Sequence, residues 1–82
     1  MSLDALLSSE KKTIGMKQTK KALEHDQVER VFVARDAEEH VVRPVVDMSQ
    51  QKNVDVVFVD SMGQLGKACG IAVGASVAAI LI

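Results

Sequence analysis

The chain has 82 residues, 48% of them apolar and 26% charged, with a formal net charge of −1. That is one domain, residues 1–82, near the lower limit for an independent core. Two phenylalanines are its only aromatics, so base-stacking platforms of the kind single-stranded nucleic-acid binders use are excluded, and a lone cysteine, Cys69, rules out an internal disulfide.

Met1 to Leu7 lacks the cationic start and long apolar run of a signal peptide. Leu3, Leu6 and Leu7 have helical spacing, which predicts a short helix over about 3–10. Gly15 opens a second helix ending near Glu24 or His25. Met16, Thr19, Ala22 and Leu23 face inward, and Lys17, Lys20, Lys21 and Glu24 fall on the opposite side. Val28 to Ala34 is β-branched and apolar, a strand. Asp36 to His40 is a charged connection. Pro44 suits the first turn of a helix, which predicts a turn or short helix over 38–42 and a full helix over about 43–52, with Val45, Val46 and Ser49 inward.

Val54 to Val59 is the next strand. Ser61, with Gln64 three residues on, has the form of a capping box and starts another helix. That helix ends by Cys69 and Gly70, where glycine serves as a left-handed terminator. Ala75 to Ile82 is near-continuously apolar and predicts a central strand covered on both sides. The uncharged run from Ile71 to Ile82 is 12 residues long, short of the roughly 20 that span a bilayer. No membrane partner is expected. Alternating helices and strands predict an α/β domain with helices on both faces of a small mixed sheet.

Two segments carry the functional signal. The first is basic: Lys11, Lys12, Lys17, Lys20 and Lys21 fall in eleven residues without an acid, whereas Glu24 to Asp60 holds nine acids against four bases. Such polarity orients a protein on a polyanion, and a solvated helix face explains it equally well. Gly15 at a helix start leaves free N–H groups, suited to a phosphate or base edge. Lys17, Gln18 and Lys21 along one flank offer donors that pair with guanine or adenine edges. The second segment is the glycine-punctuated stretch Leu65 to Gly74, with three glycines in ten residues. Small apolar residues and Lys67 lie between them. It suits a neutral, close-fitting contact with a partner. Open-sheet domains gather binding loops at one set of strand ends, which predicts that this stretch neighbours Gly15.

Catalysis has little support. His25, His40 and Cys69 are mutually distant in sequence, and a small-loop cysteine packs as a small hydrophobe. Their spacing makes no metal site. Gly66-Lys67 is followed by Ala68 where a phosphate loop needs Ser or Thr, so no nucleotide cofactor is expected.

Ile14-Gly15-Met16-Lys17-Gln18-Thr19-Lys20-Lys21-Ala22-Leu23, Val31 to Ala37, Val57-Phe58-Val59-Asp60-Ser61, and Leu65 to Ile71 together resemble the kink-turn-binding ribosomal-protein superfamily. Its members include the archaeal L-seven-Ae protein, the eukaryotic L-thirty-e protein and short bacterial relatives. The resemblance runs from Ile14 to the C-terminus with motifs in order, at the length of a short bacterial member. It implies a non-catalytic three-layer α/β/α sandwich that binds kink-turns in RNA, the ribosome being one possible setting; the lone cysteine makes a reducing cytoplasm the simplest home. In that family the glycine-started helix reads tandem G·A pairs, which implies roles for Gly15, Lys17, Gln18 and Lys21. Lys17 and Gln18 replace the Asn and Glu of archaeal members and match the L-thirty-e and short bacterial form. The family loop over the bulged nucleotides falls on Leu65, Gly66, Lys67, Ala68, Cys69, Gly70, Ile71, Ala72 and Val73. The connection containing Asp36 touches RNA in some relatives. A protein-interaction scaffold using the same apolar loop is the competing expectation.

Overall fold

A computed structural model describes residues 10–82. The helix expected over about 3–10 lies outside the described residues, apart from Glu10, which is a bend. The described chain runs β1 (Lys12–Ile14), α1 (Met16–Glu24), β2 (Val28–Ala34), α2 (Glu39–Gln51), β3 (Asp55–Val59), α3 (Met62–Ala68) and β4 (Val77–Leu81).

The four strands form one mixed sheet in the order β1-β4-β2-β3. β2 and β3 are parallel, while β4 runs antiparallel to both of its neighbours. β4 is therefore central, as its apolar run predicts, and Val77, Ala78 and Ala79 are wholly buried. Alternation along β2 and β4 feeds two cores. Phe32, Ala34, Ala78 and Ile80 pack with Leu65 and Ala68 of α3. Val31, Val33, Val77 and Ala79 pack with Ala22 and Leu23 of α1 and with Val42 and Val45 of α2. Two helices cover one face and α3 covers the other, giving the three layers. This is the α/β/α sandwich with a small mixed sheet.

The structure departs from the sequence expectations in two places. β1 was not expected. It has three half-buried residues, too few for a visible alternation, and it exists because β4 offers a free edge to Thr13 and Ile14. α2 is one continuous helix with Pro44 inside it, where a break near residue 42 and a proline in the first turn were expected. Pro44 cannot donate to the His40 carbonyl one turn back. The loss falls on the exposed side of α2, while Val42, Val45 and Ser49 hold the buried side. Ser49 Oγ donates to the Val45 carbonyl at 2.7 Å, which satisfies that hydroxyl in the core.

Candidate nucleic-acid interface

The C-terminal tips of β1, β2 and β3 and the start of β4 share one rim of the sheet. All three helices begin there. The N-terminus of α3 is occupied: Ser61 Oγ accepts from the Gln64 N–H at 3.1 Å, and Asp36 Oδ1 accepts from the Met62 N–H at 2.8 Å. Ser61 thus supplies its half of the expected capping box. The first turn of α2 carries Glu39, an acid that suits the positive end of the helix dipole.

α1 is different. Its first turn has no acid, and Gly15 gives no side-chain cap. The amides of Met16, Lys17 and Gln18 therefore have no acceptor within the helix. Gly15 takes φ +96° and ψ 165°, a conformation essentially restricted to glycine. Its own N–H donates to the Val77 carbonyl at 2.8 Å, fixing the helix start to the first residue of β4. Thr19 is wholly buried, and its Oγ1 lies 2.8 Å from Thr13 Oγ1, tying the helix to β1.

Ala22 and Leu23 join Thr19 on the inward face, and Lys17, Gln18, Lys20 and Lys21 are exposed. Lys17 and Lys21 stand one turn apart on one flank, a like-charge pair that costs a few tenths of a kcal/mol. Lys21 lies about 9 Å along the helix from Gly15. The flank is thus a row of cations leading away from a helix tip that has no side-chain cap.

The glycine-rich stretch reaches the same rim from the other face of the sheet. Leu65, Gly66 and Ala68 belong to α3, not to the loop, and with Cys69 they are buried. The side chains of Leu65, Ala68 and Cys69 pack against Phe32 and Val59 and offer no surface to a partner. The helix ends in a Schellman motif: Gly70, at φ +78°, donates to the Lys67 carbonyl, and Ile71 donates to the Gly66 carbonyl, each at 3.0 Å. Ile71 is half-buried against the core below it.

From there the chain doubles back along α3. Ala75 N–H donates to the Met62 carbonyl at 3.0 Å, and Ser76 accepts from Ala34 N–H at 2.9 Å before β4 begins. Ala72, Val73 and Gly74 are exposed, with Val73 at 71%. The predicted neighbourhood of Gly15 and this stretch thus holds through its returning limb, which ends beside the Gly15 bond to Val77. Lys67 and Gly70 are exposed at the far end of α3, about 10 Å of helix away. Lys67 there also suits the negative end of its helix. Asp36 is exposed at the rim, with one carboxylate oxygen committed to α3.

The packing of Gly74 escaped sequence reasoning. A side chain there would meet Met62 at 3.1 to 3.3 Å, and its spacing of eight from Gly66 is the only signal in the sequence. Burial pushes the Cys69 thiol up from its ordinary value, and the nearby Lys12 ammonium offsets only part of that shift. A protonated, buried thiol is no nucleophile. Among the described residues no group of three or more His, Cys, Asp or Glu is placed to hold a metal. No helix among them is long and apolar enough to cross a membrane.

Residues 2–82 match the ribosomal protein L7Ae/L30e/S12e/Gadd45 family. The chain belongs to that family. Over 82 residues, all of both chains, this L7Ae-family protein is 46% identical to a Bacillus pumilus protein named RNA-binding protein. It is 44% identical over 81 residues, 99% of each chain, to the RNA-binding protein YbxF of Geobacillus stearothermophilus. Its structure is similar to that of the 15.5kD RNA binding protein of Giardia lamblia. The TM-score is 0.87 at 27% identity, covering 98% of this chain and 68% of that one. The family is non-enzymatic, and the chain is not an enzyme.

Proposed function

We propose that this protein binds kink-turns in structured RNA and stabilises their bent form. One observation carries the proposal. Of the three helix starts among the described residues, only that of α1 lacks an acidic or hydroxyl group, and it leads into Lys17, Lys20 and Lys21.

In this proposal the open amides of α1 and Gln18 meet base edges or phosphate, and Lys17 and Lys21 follow the groove. An ordinary RNA duplex hides its base edges in a deep, narrow groove. A sharp bend at sheared G·A pairs opens that groove to a helix tip. The exposed apolar surface of Ala72 and Val73 covers unstacked bases beside the bend. Leu65, Ala68 and Cys69 act from beneath, as the floor that holds the loop, and Gly66 is its seat. Asp36 contributes by fixing α3, and its free oxygen accepts from a ribose or base amine. Lys67 and Gly70 meet the RNA only where it extends along α3.

A protein that binds only the kinked form shifts the balance between kinked and extended RNA by mass action. Ribosomal RNA and riboswitches both offer such targets, and cytoplasmic RNA is the expected source. Titration of the purified protein against a kink-forming duplex and a straight control of equal length tests the proposal. Tight binding to the first alone supports it, and equal affinity for both rejects it.

A further inference from the structure

The opposite edge of the sheet has a different chemistry. Among the described residues β3 has a single neighbour, β2, so one side of its backbone is unpaired by them. Asp55–Val59 has no lysine, proline or bulge, and its one charge, Asp55, stands at its first residue. The stretch Val56 to Val59 thus lacks the usual devices that keep an edge from pairing with another chain. Phe58 is 50% exposed, an unusual state for a phenylalanine within a strand. It points to the α2 side of the sheet, where two adjoining hollows of about 320 Å³ each share Glu39, Val42 and Phe58.

The hollows themselves carry two acids and two bases, Glu39 and Asp47 against Arg35 and Arg43. The excess of acid comes from exposed Asp55, which begins the strand, and Asp60, which follows it. No lysine lines either hollow. Of the arginines here, Arg43 pairs with Glu39, Arg35 lies over the Phe58 ring at 6.0 Å, and Arg30 stands opposite Asp55 in the neighbouring strand.

We propose that the β3 edge docks an extended, cation-bearing segment of a partner protein by strand addition. The unpaired backbone of β3 supplies hydrogen bonds, the Phe58 trough takes an apolar side chain, and Asp47 and Asp60 receive flanking lysines or arginines. Phosphate-rich RNA is repelled by these acids. A second copy of this chain, pairing antiparallel through the same strand, brings its own Asp55 and Asp60 against the first pair. The site lies at the β3 edge beside α2, on the same face of the sheet as α1, and does not depend on the RNA proposal.

The probe is a labelled, blocked peptide of about seven residues alternating lysine with valine, a typical strand length. It is titrated into the full chain by fluorescence anisotropy. Saturable binding is expected. N-methylating alternate peptide amides should weaken it about tenfold or more through lost backbone hydrogen bonds. Phe58→Ser and, separately, Asp60→Asn should each weaken it severalfold, while affinity for a kink-forming RNA stays unchanged. A glutamate–valine peptide should not bind. The proposal is overturned if the lysine peptide does not bind at millimolar concentration. It also fails if the N-methylated peptide or the variants bind as well as the originals. A concentration-dependent dimer abolished by Phe58→Ser would assign the edge to a second copy, and loss of RNA affinity in that variant would assign it to RNA.

Discussion

Gly66 and Val73 touch backbone to backbone: a Cβ built on Gly66 would lie 2.0 Å from the Val73 carbonyl oxygen. Gly74 Cα would be 3.0 Å from the same point. The returning loop therefore lies directly on α3, one turn from the Met62 carbonyl that receives the Ala75 N–H. The seat is made of main chain, and no rotamer change can make room for a methyl group.

Gly66→Ala should therefore destabilise the fold by about 1–3 kcal/mol as the loop is forced away. Gly63, in the same helix, is its control. A Cβ there meets only Ser61 Oγ, at an ordinary 3.8 Å. Gly63→Ala should stabilise by up to about 1 kcal/mol through helix propensity. Denaturant unfolding of the two variants separates these cases, and opposite signs are required. Faster exchange of the Ile71 amide in Gly66→Ala would locate the damage at the Schellman turn.

Gly15 presents the converse situation. A Cβ would meet nothing within 4 Å, so space is no obstacle, and the cost comes from the backbone alone. At φ +96° and ψ 165° any L side chain is strained. Gly15→Ala should cost about 1–3 kcal/mol of stability and yield a folded protein. RNA affinity should fall further than stability does, because relief of the strain rotates the first-turn amides. Equal unfolding midpoints for wild type and variant would show that the helix start adapts freely.

Lys17 and Lys21 repel each other along one flank of α1, which offsets the favourable place of Lys21 in the last turn of the helix. Lys21→Ala should leave the unfolding midpoint nearly unchanged. It should weaken binding to a kink-forming RNA by about 1–3 kcal/mol if the ammonium reaches a base edge. A phosphate contact gives another signature: the slope of log affinity against log salt falls by nearly one per lost contact. Binding isotherms of Lys17→Ala and Lys21→Ala at several salt concentrations assign each lysine to one role. An unaltered affinity and slope would remove that residue from the interface.

The raised pKa of Cys69 gives a pH dependence with a definite sign. On unfolding, the thiol regains its ordinary value and ionises at lower pH than in the folded protein. Stability from this group is complete below the unfolded value and declines as pH rises through that value toward the folded one. Cys69→Ala should flatten the alkaline part of the stability curve above the ordinary thiol value. It should leave RNA binding near neutrality intact, since the thiol lies beneath the loop. An unchanged alkaline slope would mean that other groups set it.

Much of this architecture is legible in the residues. The 3.6-residue spacing of Thr19, Ala22 and Leu23 marks α1, and the apolar run around Val77 marks a doubly covered strand. Ser61 with Gln64 fixes the start of α3, and Gly70 fixes its end. β1 is not legible, because a strand of three residues owes its existence to the neighbouring β4. The continuity of α2 through Pro44 is hidden for a related reason: tertiary burial of Val42 and Val45 overrides a local break. In the candidate site, the glycine spacing marks a close approach but not its direction. The family resemblance puts Leu65, Ala68 and Cys69 in the loop, yet the helix that the sequence predicts to end by Cys69 and Gly70 carries them into the core. The exposure of Phe58 follows from strand order, which local sequence does not encode.

Ile71 and Val73 carry the last distinction. Both are apolar residues of the loop, but Ile71 packs onto the core while Val73 is 71% exposed. A carboxylate at the half-buried position must be desolvated or must pull the loop from its seat. Ile71→Asp should thus lose both thermal stability and RNA affinity. Val73→Asp adds a negative charge to open surface, where substitution costs within about 0.5 kcal/mol of fold stability. It should weaken kink-turn binding by repelling phosphate and removing apolar cover from the bulged bases. Melting curves and RNA titrations of the two proteins separate folding from recognition. A Val73→Asp protein that binds a kink-forming duplex as tightly as wild type would remove the exposed loop from the interface, leaving α1 to bind alone.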